Sequence, residues 1–195
     1  MPAATDVRSR RRAQTRAEIL DAAWQLAERD GIAGLSLRDL AAEVGMRAPS
    51  LYTYFPSKAA IYDAMFAAGF RDLDAVSAGI SVDPSDAEGS IAAQIEAFIA
   101  FCQASVPRYQ LLFTRAVPDW EPSAEAYAVS VASYERMRAQ LAELGIDEPG
   151  DLDLLTALTS GLAAQQLAND AGGARWRDLS ADAARMYLAH VRRTR

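Results

Sequence analysis

The chain contains one cysteine, Cys102, and one histidine, His190. A single thiol excludes an internal disulfide, and one histidine beside one cysteine is too few for a Cys/His zinc site. No window approaches 18 consecutive apolar residues, and the arginine-rich N-terminus has no apolar stretch behind it, so neither a membrane span nor a secretory leader is expected. Runs of alternating β-branched residues are also missing, as are internal repeats, low-complexity blocks and any glycine-rich phosphate loop. No pairing of a nucleophile with a base can be read from spacing, so the chain is not expected to be an enzyme. These absences leave a soluble, cytoplasmic, all-α protein that needs no metal or cofactor. Its 195 residues, 51% hydrophobic and 24% charged, suffice for one ordinary domain or two small ones.

Charge is distributed unevenly. Residues 1–58 carry a net charge of about +2, whereas residues 59–195 carry about −8. Arg8, Arg10, Arg11, Arg12 and Arg16 stand against a single acid, Asp6, before residue 17. Such an arm suits phosphate contact, while the acidic remainder is repelled by nucleic acid. A solvated, disordered tail has the same composition, so the neighbouring sequence must decide between the two.

That neighbour is the stretch Leu37–Tyr54. Leu37, Leu40, Ala41 and Val44 recur at helical spacing, Gly45 can take the left-handed conformation that ends a helix, and Leu51 and Phe55 then sit four apart on one face. A small residue at the crossing, glycine at the turn and apolar contacts on both sides are the requirements of a helix-turn-helix. Ser36, with Asp39 three residues on, is an N-cap with a partial capping box.

The spacing predicts about nine helices. After residues 1–8, expected to be disordered, the first covers about Ser9–Arg29 with a stripe of Ile19, Leu20, Ala23, Trp24 and Ala27, and Asp30-Gly31 stops it. Two short helices, Leu37–Val44 and Ala48–Tyr54, lead to a long one that Ser57 caps and that ends near Ala78. Gly79–Gly89 reads as a linker. Further helices are expected over Ile91–Ser105, Arg108–Thr114, Ser123–Leu144, Asp151–Ala171 and from Ser180 to about Arg192. The expected division is an arm and helix-turn-helix domain over residues 1–57 and a helical regulatory domain over 58–195.

The series SLRDLAAEVGMRAPSLYTYFPSK, together with the Ile19–Ala23 run and Gly31, resembles the DNA-binding domain of the TetR family of bacterial transcriptional regulators. The resemblance covers about a quarter of the chain. It implies a dimeric repressor released from a palindromic operator by a small molecule, with double-stranded DNA, a small-molecule effector and a second copy of the chain as partners. A ligand-responsive activator and a helical interaction domain without DNA binding are the alternatives.

Helix geometry narrows the DNA-facing set. At about 100° per residue, with Leu51 pointing inward, Pro49 and Thr53 lie nearly opposite and Ser50 and Tyr52 flank them. Recognition helices read bases mostly with their N-terminal residues, so Arg47, Ala48, Pro49, Ser50 and Thr53 are the base-edge candidates, Arg47 suiting bidentate contact with guanine. Ser36, Arg38, Tyr52, Tyr54 and Lys58 are candidate phosphate holders, joined by Arg12 from the arm; the resemblance supports Tyr52, Tyr54 and Lys58 in particular. Tyr54 reads equally as a core aromatic with a wet hydroxyl.

In the second half, Leu158, Gly161, Leu162 and Gln165, with Tyr187, Leu188 and Val191 on the last helix, have the spacing of a four-helix seam between two subunits; packing on their own core is the other reading. Phe98, Phe101, Cys102, Tyr109, Phe113, Trp120, Tyr127, Tyr134, Met137 and Gln165 form the pool from which an apolar, partly aromatic ligand cavity is expected.

Overall fold

Alanines and arginines are strong helix formers, and no breaker separates Pro2 from Gly31. The first helix therefore runs from Ala3 to Asp30 (α1), six residues earlier than expected. The computed structural model describes residues 3–194, with side chains from Val7 to Arg193. Of the stretch 1–8 expected to be disordered, Ala3–Arg8 is helical, and Met1 and Pro2 lie outside the described residues. All regular elements among the described residues are helical: α2 Leu37–Glu43, α3 Ala48–Leu51, α4 Lys58–Ala78, α5 Ala87–Ala104, α6 Val106–Phe113, α7 Ala124–Glu143, α8 Pro149–Asn169 and α9 Ser180–Thr194, with short 3-10 turns at Ile32–Gly34, Pro84–Asp86 and Arg177–Leu179. No single helix among them is long and apolar enough to cross a membrane.

The chain divides into two compact units, each made of two separate segments. The first holds residues up to Gly69 together with Pro107–Tyr127; the second holds Phe70–Val106 and Ala128 onward. Trp120 explains why the later segment joins the first unit. Its indole packs at 5.6 Å from the Tyr62 ring and 5.8 Å from Phe66, and its N–H donates to Asp63 Oδ1 at 3.2 Å. The Ser123 amide donates to the same oxygen at 3.1 Å, so one carboxylate on α4 fastens the whole α6–α7 loop.

Within the first unit, α1 buries Ile19, Ala23, Leu26 and Ala27, Ile32 and Leu35 come next, and Leu40, Leu51, Phe55, Ile61 and Met65 complete the core. The expected Gly79–Gly89 linker is shorter than its composition suggests. Asp83 accepts from the Ser85 amide at 2.8 Å and Asp86 from the Gly89 amide at 2.9 Å, so the segment folds into a turn that starts α5 at Ala87.

In the second unit α5 is central and lies against both α8 and α9. Ile91, Ile95, Ile99 and Cys102 form its buried stripe. α8 begins at Pro149 rather than Asp151, because proline at a first helical position loses no hydrogen bond. Gln166, fully buried, organises the α8–α9 connection: its Oε1 accepts from the Trp176 amide at 2.8 Å and the Arg177 amide at 3.1 Å, while its Nε2 donates to the Asp170 carbonyl.

Candidate nucleic-acid interface

The α2–α3 corner is set by caps at each bend. Ser36 Oγ accepts from the Asp39 amide at 3.4 Å, closing the first turn of α2. At its other end Gly45 has φ +66°, with its own amide donating to Ala42 O at 3.1 Å and the Met46 amide to Ala41 O at 2.7 Å. That pair of bonds is a Schellman ending, and its left-handed residue turns the chain into α3. Regular helix lasts only from Ala48 to Leu51, shorter than the expected Ala48–Tyr54; residues 52–54 continue as turns, and the Tyr54 and Phe55 amides both donate to Leu51 O. Ser57 then caps α4 by accepting from the Ala60 amide at 3.1 Å.

Burial sorts the side chains as the helical angle requires. Leu51 and Phe55 are 1% exposed and anchor the segment, while Arg47, Pro49, Ser50, Tyr52 and Thr53 all face solvent. Ala48 is half-buried at the edge of that surface, and Arg38 is exposed on α2. Tyr54, also half-buried, is part core aromatic and part surface. Lys58 is half-buried with its ammonium 5.4 Å from the centre of the Tyr62 ring. Burial pushes the Tyr62 phenol above its ordinary pKa, and its hydroxyl donates to Ile32 O at 2.9 Å.

Arg12 occupies a place that composition does not suggest. Its Nη2 donates to Thr53 O at 2.6 Å, and its guanidinium lies 5.3 Å from the Tyr54 ring centre. Arg16, which composition places simply in the basic arm, donates to Tyr54 O and stands 4.1 Å over the Phe55 ring. These pairs join residues 41 and 38 positions apart, beyond the reach of any local pattern.

The ligand and seam candidates fare less well. Tyr109, Phe113, Trp120 and Tyr127 belong to the first unit and Phe98, Phe101, Cys102, Tyr134, Met137 and Gln165 to the second, so each set is seen only in its own unit. Trp120 anchors the α6–α7 loop, and Tyr109 and Phe113 pair along α6 with ring centres 6.0 Å apart. Phe101 and Cys102 are core, Phe98 and Met137 are half-buried, and Tyr127 and Tyr134 stand out on the exposed side of α7. Gln165 faces solvent and bonds Asn169 at 2.8 Å; its neighbour Gln166 is the buried amide. A groove of about 330 Å³ lined by Glu18, Asp21, Ala22, Gln25, Glu43 and Val44 includes none of the expected ligand residues, and its three carboxylates suit no phosphate.

Of the expected seam residues, Tyr187, Leu188 and Val191 are corrected. They are buried within the chain's own fold, where the Tyr187 hydroxyl donates to Asp151 O at 3.0 Å, rather than on an open face. Leu158 and Leu162 are half-buried and Gly161 exposed on the outer side of α8. Leu154, 41% exposed, extends that stripe, and Met186, 61% exposed, gives α9 an outward apolar residue that periodicity alone did not single out.

Comparison with known proteins agrees with this geometry. Residues 19–65 match the family model described as "Bacterial regulatory proteins, tetR family". The HTH-type transcriptional repressor DrrR1 of Streptomyces coeruleorubidus is 45% identical over 47 residues, 24% of this chain; the match covers 17% of that relative's length. Among solved structures, the TetR family transcriptional regulator PfmR from Thermus thermophilus superposes with a TM-score of 0.63 at 21% identity, covering 88% of this chain and 97% of that one. A TetR variant from Acinetobacter baumannii, solved in complex with minocycline, superposes with a TM-score of 0.58 at 17% identity over 91% of this chain and 96% of that one. At these identities the structural likeness is one of fold. Residues 19–65, the segment that builds the caps and the outward face of α3, are similar to the tetR family of bacterial regulatory proteins.

Proposed function

We propose that the protein is a cytoplasmic, sequence-specific DNA-binding repressor that works as a homodimer and leaves a palindromic operator when a small molecule binds. The observation that carries this reading is the outward face of α3: Arg47, Pro49, Ser50, Tyr52 and Thr53 exposed together on a segment fixed from beneath by Leu51 and Phe55. That face supplies one bidentate donor, two hydroxyls suited to base edges and an apolar contact for thymine methyls. Tyr52 of that face, with Ser36, Arg38, Tyr54 and Lys58, would serve as phosphate holders, which position a protein on the duplex without reading sequence. Being called a transcriptional repressor, DrrR1 supports the direction of regulation, and the minocycline-bound relative supports a small-molecule effector.

One recognition helix reads too few base pairs for useful specificity. Two of them, related by two-fold symmetry and separated by about 34–36 Å, match successive major grooves. The outer stripe of α8, Leu154, Leu158, Gly161 and Leu162, with Met186 of α9, supports a self-complementary seam. α4 is the expected transmission element, one unbroken helix from Lys58 to Ala78. Linkage then requires effector and operator to weaken each other by the same factor.

Selection of bound sites from a random DNA pool tests the reading. Arg47→Ala should change the preferred site, whereas Lys58→Ala should weaken binding to every site and flatten the salt slope by about 0.9 for one lost phosphate contact. Enrichment of no sequence by the unaltered protein would refute DNA reading, and an unchanged preference in Arg47→Ala would remove Arg47 from the base edge. Small molecules that stabilise the protein are then screened for release of the selected site.

A further inference from the structure

α3 poses a physical problem. A helix of four residues is far below the dozen or so needed for stability on its own, and beyond it the chain continues only as turns whose Thr53, Tyr54 and Phe55 amides reach back to Ser50 O and Leu51 O. Two buried side chains, Leu51 and Phe55, hold it from one side only. The exposed face that reads DNA nevertheless needs a fixed orientation, because base-edge contacts tolerate little misplacement.

α1 supplies what is missing. Arg12 donates to Thr53 O at 2.6 Å and lies 5.3 Å from the Tyr54 ring; Arg16, one turn later, donates to Tyr54 O and lies 4.1 Å over the Phe55 ring. Each guanidinium thus grips a carbonyl and the aromatic ring of the next residue, and one turn of α1 is matched to a single residue step after α3. Cations at a helix C-terminus complement its dipole, hydrogen bonds from a charged donor are about twice as strong as neutral ones, and guanidinium over an aromatic face adds further attraction. All the groups involved lie in one compact unit.

Resting on the proposed DNA-binding function, we infer that Arg12 and Arg16 are positioning residues for the recognition segment rather than phosphate ligands: they clamp its C-terminal end and thereby orient Arg47, Pro49, Ser50 and Thr53. Composition alone places both in a basic arm suited to DNA. The geometry commits one guanidinium donor of each to the protein's own carbonyls.

The test compares Arg12→Met and Arg16→Met, which keep most of the apolar stem and remove the donors and the charge, with Lys58→Ala as the phosphate reference. Amide hydrogen exchange of the full chain without DNA reads the clamp itself, and exchange at Thr53, Tyr54 and Phe55 should quicken about tenfold or more in either variant. Affinity for the operator selected from the random pool should fall about tenfold with the salt slope unchanged, while Lys58→Ala loses about 0.9 of slope. Arg12→Lys, which keeps a charged donor, should recover part of the loss. Unchanged exchange at residues 53–55, or a slope lowered by about 0.9 in either methionine variant, would overturn the inference. If Arg16→Met does not fold, Arg12→Met decides alone, since Arg12 is exposed. Should the unaltered chain select no DNA, the functional reading falls, yet the exchange measurement still decides whether the clamp exists.

Discussion

The α2–α3 segment and the α8–α9 pair both present helical surface outward, and they are specified in opposite ways. Between Ser36 and Lys58 each change of direction hangs on one nameable group: the Ser36 and Ser57 hydroxyls, the positive φ of Gly45, the guanidinium groups of Arg12 and Arg16. In α8 and α9, which both lie against α5, the outward surface is what remains once Leu152, Leu155 and Ala163 of α8 and Ala184, Tyr187, Leu188 and Val191 of α9 are buried. A surface set by caps and turns is determined by a few identities. A surface set by packing is determined by neighbours that can lie far away in the chain.

The largest test of this contrast removes a packing anchor from the capped region. Leu51→Ala empties a fully buried site under α3 and should cost roughly 3 kcal/mol, read as a lower denaturation midpoint at unchanged slope. A loss below about 1 kcal/mol would mean that the caps alone hold the segment, and the contrast between the two regions would be sharper still.

A somewhat smaller effect is expected on the packed side. Leu158 lies half-buried on the outer stripe of α8. In the proposed dimer, Leu158→Arg places an unpaired charge in an apolar seam, which should raise the dimer dissociation constant about 100-fold, roughly 2.7 kcal/mol, with the helix content of each protomer unchanged. Sedimentation measures it. An unaltered association would move the seam off this face.

The contrast also accounts for what could be read without coordinates. From Leu51 inward, a rotation of about 100° per residue correctly turns Pro49 and Thr53 outward, because a single burial assignment settles a short helix. Gly45 and Ser57 were legible for the same reason: their chemistry is local. On α9 the stripe Tyr187, Leu188 and Val191 was equally plain, yet periodicity says only that a face is apolar, and within the chain α9 lies against α5 with these residues buried. Arg12 and Arg16 were visible as charge, and their partners some forty residues away left no trace in spacing. Trp120 was visible as an aromatic between two prolines, but Asp63 as its acceptor left no local sign.

The smallest expected effect separates the two regions most cleanly, because one motif occurs in both. Gly145 has φ +74° and repeats the ending seen at Gly45: its amide donates to Ala142 O at 2.9 Å and the Ile146 amide to Leu141 O at 2.9 Å. A Cβ built at Gly45 meets nothing within 4 Å, so Gly45→Ala pays only for forcing an L-residue into the left-handed region, about 1 kcal/mol. Gly145→Ala should lose a similar amount for the same backbone reason, so thermal denaturation should lower both variants by a few degrees. Operator binding should not treat them alike. Gly45 sets the angle at which α3 leaves α2, so its variant should lose up to about fivefold in affinity as the strain is relieved by moving α3, whereas Gly145→Ala should keep the affinity of the unaltered chain. Equal losses of affinity would show that the recognition segment responds to general stability, and its caps would then have no privileged part in reading DNA.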